Sequence, residues 1–277
     1  MTTQHLLVQA GVAEGMTPAT RRRIRDTLLG AAGLLTLGLI VQLLPTIGVV
    51  RSQDLPPMTT ILGEFFRLLG TSALWQALYD TIYVWGLGLL IAVVAGAALG
   101  ICIGSIPWVR LVTHSTIEFL RPIPSVALIP LVVLLFGTQY QSALTLVVYA
   151  SFWQVLVQTI YGVADVDPVA TETARSYRFS LWRRIRSVLL PTALPFIMTG
   201  VRLAATVALV LTVTAQLIIG TPGLGQMIAL SENAGTVPTT YALVLVTGLL
   251  GVVINVGARL LESRLLSWHV SFRPEAN

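Results

Sequence analysis

The chain has 277 residues, of which 55% are hydrophobic and only 10% are charged, whereas soluble proteins carry about a quarter charged residues. This composition excludes an ordinary soluble protein and predicts that lipid is the solvent for much of the chain. The net charge of +5 comes from Arg residues beside apolar segments, which favours membrane orientation over nucleic-acid binding. All 17 basic residues are Arg. Without a Lys the chain cannot be a P-loop ATPase and cannot perform Schiff-base chemistry.

The N-terminal region predicts a cytoplasmic tail and a first membrane span. Residues 1–26 are polar and end in a cluster of Arg residues, and residues 28–50 form a long, mostly apolar run that can cross a bilayer. The run is long for a signal peptide and no small-residue cleavage site follows it, so a retained span is favoured. Apolar residues at helical spacing between 61 and 69 then predict an amphipathic helix on the outer interface.

The second predicted span, residues 82–106, contains a stripe of glycines. Gly96, Gly100 and Gly104 recur every four residues and leave one face of the helix smooth, whereas Gly88 is placed off this stripe. Small residues let two membrane helices approach closely, so the stripe predicts a helix contact. Glycines that are merely tolerated in lipid are the alternative.

Four more spans complete the predicted domain. A long uncharged run divides at the polar residues 137–141 into spans 119–136 and 142–163, and further spans follow at 193–219 and 240–261. The sequence therefore predicts an all-α membrane protein with six transmembrane helices over residues 27–264 and a cytoplasmic tail at 265–277. Arg residues concentrate in the segments on one side, which predicts that both termini are cytoplasmic.

A polar, Arg-rich segment at residues 165–190 separates the fourth and fifth spans. Asp167 followed by Pro predicts the start of a short helix that carries Glu172. The chain breaks near Arg178, and Ser180 can cap a second helix over residues 181–189.

The second short helix has an apolar edge. Leu181, Ile185 and Val188 share one face beside Trp182, and the Arg residues point elsewhere. Such an edge fits a groove on a partner protein. The alternative is a basic amphipathic helix that rests on anionic lipid.

The spacing of this segment resembles the cytoplasmic coupling loop of ABC importer permeases. That pattern is Glu-Ala-Ala, three residues, Gly, nine residues, then Ile-x-Leu-Pro. Here Glu172, Ala174 and Pro191 are in register, while Arg178 stands at the usual Gly. Further motifs resemble the subfamily that imports aliphatic sulfonates, taurine, nitrate and some heterocyclic nutrients: Leu120-Arg121-Pro122-Ile123-Pro124, Thr199-Gly200-Val201-Arg202 and Pro222-Gly223-Leu224-Gly225.

The resemblance implies the permease subunit of a type I ABC importer in the cell inner membrane, with no catalytic residue of its own. Separate ATPase subunits would bind ATP and Mg, an extracytoplasmic binding protein would deliver a small polar or anionic nutrient, and a second permease copy, most simply an identical one, would complete the path. The residues implied in ATPase coupling are Glu172, Ala174, Arg175, Arg178, Leu181, Trp182 and Pro191.

Polar side chains inside the spans are candidates for the translocation path. Gln154 and Gln158 share one helical face, and Gln216 stands where the subfamily often has Glu. Hydrogen bonds between helices are the alternative for these amides. The three His are scattered, so no metal site is predicted. A secondary transporter or channel without an ATPase is the rival function, but it would usually show internal repeats and ionisable groups in the spans. A membrane enzyme would need clustered His, Asp or Glu.

Overall fold

The structure is a computed structural model that describes residues 18–266, with the backbone alone at 18–24, 26 and 181. Every regular element in that range is helical, which confirms the predicted fold class. In chain order the helices are α1 (Pro18–Thr46), α2 (Met58–Leu69), α3 (Ser72–Ser105), α4 (Pro107–Leu120), a 3-10 turn (Ser125–Leu128), α5 (Ile129–Phe136), α6 (Tyr140–Ala164), α7 (Pro168–Ser176), α8 (Leu181–Arg184), a π turn (Ile185–Leu189), α9 (Leu190–Ile219), α10 (Leu224–Asn233) and α11 (Val237–Leu265). The chain divides after Glu64 into two compact units.

The first unit contains α1, whose residues Thr27–Thr46 are apolar enough to cross a membrane. The helix ends before the predicted limit of residue 50, because Pro45 lies in its last turn and Gly48 follows with a φ of +77°. Residues 1–17 of the predicted N-terminal tail lie outside the described range, and residues 18–26 belong to α1. The predicted amphipathic helix is present as α2.

The second unit is built on α6, the most buried of its long helices. Half of the most apolar window of α6 is buried, compared with 22% for α3 and 17% for α11. The glycine stripe of α3 packs on α6: a Cβ added to Gly100 would lie 2.5 Å from the Thr159 Cβ, and one added to Gly104 would lie 2.8 Å from the Val163 Cβ. The predicted helix contact is therefore confirmed, and the two helices run in parallel.

The prediction that Gly88 lies off this stripe was wrong. A Cβ on Gly88 would lie 2.6 Å from the Val147 Cγ1 atom, so the glycine packs on α6 like the others. Gly88 belongs to the same row of residues spaced by four as Gly96, and such rows form the ridges by which helices pack. The close seam therefore extends over most of α3.

The opposite side of α6 packs on α9 in the antiparallel direction. A Cβ on Gly162 would lie 2.7 Å from the Phe196 Cβ, and one on Gly200 would lie 3.0 Å from the Gln158 Cβ. Glycines thus set the spacing on both sides of α6.

The third predicted span, 119–136, is not one straight helix. The helix Pro107–Leu120 and the segment Ser125–Phe136 meet at an angle of 78°, and only as a bent pair would they make a sixth span. Pro122 and Pro124 lie in the break, and neither has an N–H with which to continue a helix. The bend therefore follows from the local sequence.

We expect Gly100→Leu to lower the melting temperature of the purified protein relative to wild type. Overpacking a close contact costs about 1–3 kcal/mol, and the Thr159 Cβ cannot move without its backbone. Gly86→Leu is the matched control, because Gly86 lies on the same helix and a Cβ added there would meet no atom within 4 Å. Equal melting temperatures for the two variants would contradict the assignment of Gly100 to a packing seam.

Candidate functional site

The segment between α6 and α9 begins with a capped helix. The Val169 N–H donates to the Asp167 carboxylate Oδ1 at 2.8 Å, and Pro168 occupies the first turn of α7. Both features satisfy or remove N–H groups that a helix start leaves without partners. The predicted helix start is therefore confirmed, and it fixes the helix that carries Glu172.

Arg178 ends α7 in a left-handed conformation, with a φ of +54°. The Phe179 N–H donates to the Ala174 carbonyl at 3.0 Å and the Arg178 N–H to the Arg175 carbonyl at 2.8 Å. This pair of bonds is the Schellman motif, in which the left-handed residue is usually Gly. The geometry explains why the related pattern has Gly at this position, and it shows that this chain makes the same turn with Arg.

The helix after this turn is continuous with α9. The Ser180 Oγ accepts from the Arg183 N–H at 3.4 Å, which confirms the predicted cap of α8. The predicted separate helix 181–189 instead leads through a π turn into α9, so that Trp182–Ile219 forms one helical run. Pro191 lies in the first turn of α9, where it supplies no N–H to the preceding turn.

The exposed face of this segment differs from the predicted apolar edge. The exposed side chains include Glu172, Arg175, Arg178 and Trp182, the last of which is 72% exposed. Within the described residues Glu172 makes no ion pair and no hydrogen bond.

Two members of the predicted apolar face, Ile185 and Val188, are half-buried. Ile185 and Val188 line a cavity on the inner side of the segment, together with Ala174, which is 5% exposed. The side chain of Leu181 lies outside the described part of the chain. Ile185 and Val188 therefore face the cavity beside α3 and do not form the fully exposed edge that the sequence predicted.

Two of the predicted path residues lie where α6 meets α9. Gln154 and Gln158 are half-buried, and Gly200 of α9 packs against the Gln158 Cβ and the Gln154 carbonyl. Within the described range, neither side-chain amide has a hydrogen-bond partner. These amides are therefore free to bind water or a ligand.

Gln216 is fully buried and lies about 24 Å along α9 from Gly200, so the three predicted path amides do not form one cluster. Its Oε1 accepts from the Thr81 Oγ1 at 3.0 Å and from the Gly225 N–H at 3.3 Å, and its Nε2 donates to the Pro222 carbonyl at 3.1 Å. In this structure the Gln216 amide therefore joins α3 and the turn before α10 to the end of α9.

Sequence reasoning missed Thr81 and the partner of Arg202. The Thr81 Oγ1 also accepts from the Leu224 N–H at 2.9 Å, but a threonine in a span gives no sequence signal for such a role. The Arg202 Nη1 lies 3.7 Å from the Glu262 Oε2 between α9 and α11. The available signal for this pair was an Arg inside the predicted span 193–219 and a Glu directly after the predicted span 240–261.

The described residues contain no group of three or more His, Cys, Asp or Glu that could hold a metal ion. What the segment offers is a capped, exposed helix attached to a long membrane helix.

We expect Arg178→Gly to raise the melting temperature of the purified protein. A left-handed conformation costs a non-glycine residue about 1 kcal/mol, and Gly removes that cost. Arg186→Gly is the control, because Arg186 lies within a helical turn, where Gly is destabilising by about 1 kcal/mol. A lower melting temperature for Arg178→Gly would mean that the Arg178 side chain stabilises the turn by more than the strain it introduces.

Comparison with known proteins places this architecture in a family. Residues 88–267 match the family described as binding-protein-dependent transport system inner membrane component. The aliphatic sulfonates transport permease protein SsuC of Bacillus subtilis is 31% identical, over 87% of this chain and 88% of the relative. The taurine transport system permease protein TauC of Escherichia coli is also 31% identical, over 88% and 91%.

A solved structure supports the fold. The crystal structure of a bacterial ABC transporter involved in the import of the acidic polysaccharide alginate aligns with a TM-score of 0.62 at 17% identity, covering 88% of this chain and 98% of the other. At this identity the likeness concerns the fold alone. The matched family model and the two relatives show that the chain belongs to the binding-protein-dependent transport system inner membrane components, the permease subunits of ABC importers.

Proposed function

We propose that the segment from Asp167 to Pro191 couples this permease to separate ATPase subunits, which bind ATP and Mg. The observation that carries the proposal is Glu172, an exposed carboxylate without an ion pair in the described chain, on a helix fixed by a cap at each end. Glu172 and the exposed ring of Trp182 form the face that docks into the ATPase groove. The permease itself performs no covalent chemistry.

The continuity of α8 and α9 supplies the mechanism of coupling. Because Trp182–Ile219 forms one helical run, a displacement of the docked segment reaches the far end of α9. There, Gln216 accepts a hydrogen bond from Thr81 of α3 and donates one to the turn that leads into α10. Closure of the ATPases therefore moves the opposite side of the membrane domain and opens the path outward.

The transported substrate is proposed to be a small polar or anionic nutrient that an extracytoplasmic binding protein delivers. Support comes from the relatives whose names specify aliphatic sulfonates and taurine. The half-buried amides of Gln154 and Gln158 are the proposed polar groups of the path. A second copy of the chain encloses the other side of that path. Both termini, like the coupling segment, face the cytoplasm.

We expect Glu172→Ala and Glu172→Arg to reduce both substrate uptake and substrate-stimulated ATP hydrolysis at unchanged membrane insertion. The physical reason is the loss of the one carboxylate of α7, or its replacement by a positive charge. Glu118→Ala is the control, because Glu118 is an exposed carboxylate on α4 and lies outside the coupling segment. Its Oε1 atom is 3.5 Å from the His114 Nε2 atom.

Co-purification of an ATPase with the wild-type chain separates the proposal from its rival. A secondary transporter or channel would carry no ATPase, and its activity would persist when ATP is removed. Normal uptake by both Glu172 variants at equal expression would contradict the role of Glu172 itself.

The proposed orientation predicts opposite accessibility for Ser72 and Ser176. Both residues are exposed, the first at the start of α3 and the second at the end of α7. Each is replaced by Cys in a Cys102→Ala background, and intact cells are treated with a membrane-impermeant maleimide. Only Ser72→Cys should react before permeabilisation. Labelling of Ser176→Cys in intact cells would place the coupling segment outside.

A further inference from the structure

A cavity of about 510 Å³ lies on the inner side of the coupling segment. It is bordered by the last two turns of α3, by the end of α6, and by α7, α8 and the π turn. This cavity lies behind the exposed docking face that carries Glu172 and Trp182, neither of which lines it. It is therefore a separate surface of the same segment.

The cavity has an apolar wall and a charged border. On α3 the lining extends from Ala98 past Cys102 to Ser105, about 10 Å along the helix axis. Opposite lie the apolar side chains of the π turn, such as Val188. Since α3 is a membrane-spanning helix, the wall reaches from the coupling segment into the apolar layer.

The charges at the border are two guanidinium groups, those of Arg175 and Arg184. No Asp or Glu lines the cavity. Among the described residues neither group has an ion pair, whereas Arg183 lies 4.3 Å above the ring of Phe179 and Arg202 lies beside Glu262. Two cations beside an apolar cavity call for a ligand that is anionic at one end and apolar at the other.

We propose that this cavity binds an anionic phospholipid, with the phosphate at Arg175 and Arg184 and an acyl chain along α3 past Cys102. Basic pockets between membrane helices bind acidic headgroups in this way. A free inorganic anion would leave the apolar wall of α3 empty, so the lipid fits the whole cavity better. A lipid there packs between α3 and the coupling segment, and it supports the segment from behind. The proposal does not depend on ATPase docking, which uses the outward face.

The native cysteine makes the proposal testable, because Cys102 is the single Cys of the chain, is exposed and lines the cavity. The full chain is purified in the assembly that accompanies it and is returned to nanodiscs of phosphatidylcholine alone or mixed with phosphatidylglycerol. A membrane-permeant maleimide is added, and modification of the Cys102 peptide is followed by mass spectrometry. We expect phosphatidylglycerol to slow modification and phosphatidylcholine to leave it fast.

The Arg residues are tested with a charge-matched pair of variants. Each guanidinium near an acidic headgroup contributes about fivefold to affinity. The double variant Arg175→Gln with Arg184→Gln should therefore need about a twenty-five-fold higher fraction of phosphatidylglycerol for half-protection of Cys102. Arg183→Gln with Arg186→Gln removes the same charge from residues that do not line the cavity, and it should keep the protection.

Three outcomes would overturn the proposal. Equal protection by both lipids would mean that the cavity is only an apolar surface. Retained protection in the Arg175 and Arg184 double variant would place the headgroup elsewhere. Protection that depends on the ATPase subunits and not on the lipid would assign the cavity to the docking interface.

Discussion

Moving an apolar side chain from lipid into a contact between helices gains little free energy, because both surroundings are apolar. Membrane helices therefore associate mainly where their backbones can approach closely. The seam between α3 and α6 meets this constraint with Gly88, Gly96, Gly100 and Gly104, each of which lies so close to α6 that a Cβ would overlap a neighbour. Gly162 and Gly200 do the same between α6 and α9. The positions of the coupling segment and of the polar amides depend on these two seams, because they fix where α6 ends and where α9 begins.

The coupling segment can be rigid because its local sequence satisfies its own backbone. Asp167 caps the start of α7, and the turn at Arg178 satisfies two carbonyls at its end. The segment therefore needs few contacts with the bundle to keep its form. The segment does not fill the space beside α3, and a cavity remains there. Arg175 and Arg184 line this cavity without an ion pair among the described residues.

The two ends of α9 have different surroundings. Its first end continues from α8 and lies in the coupling segment, whereas its last end holds Gln216 in a buried set of hydrogen bonds with Thr81 and the turn before α10. Buried polar groups in a membrane domain are costly unless every partner is present, so these bonds define one arrangement of the three elements. The helix is therefore fixed by these bonds at its last end, while its first end continues without a break into residues 182–189.

The sequence by itself determined the class of protein, most of the helical spans and the capped starts of α7 and α8, because composition, hydropathy and capping are properties of neighbouring residues. It also indicated the glycine stripe, although it wrongly left Gly88 out of that stripe. Only the tertiary structure decided that Ile185 and Val188 face inward, that Gln216 joins three elements and that Arg202 meets Glu262. These facts depend on contacts between residues far apart in the chain. Such contacts are set by which helices pack together, and the periodicity of a single helix does not specify its neighbour.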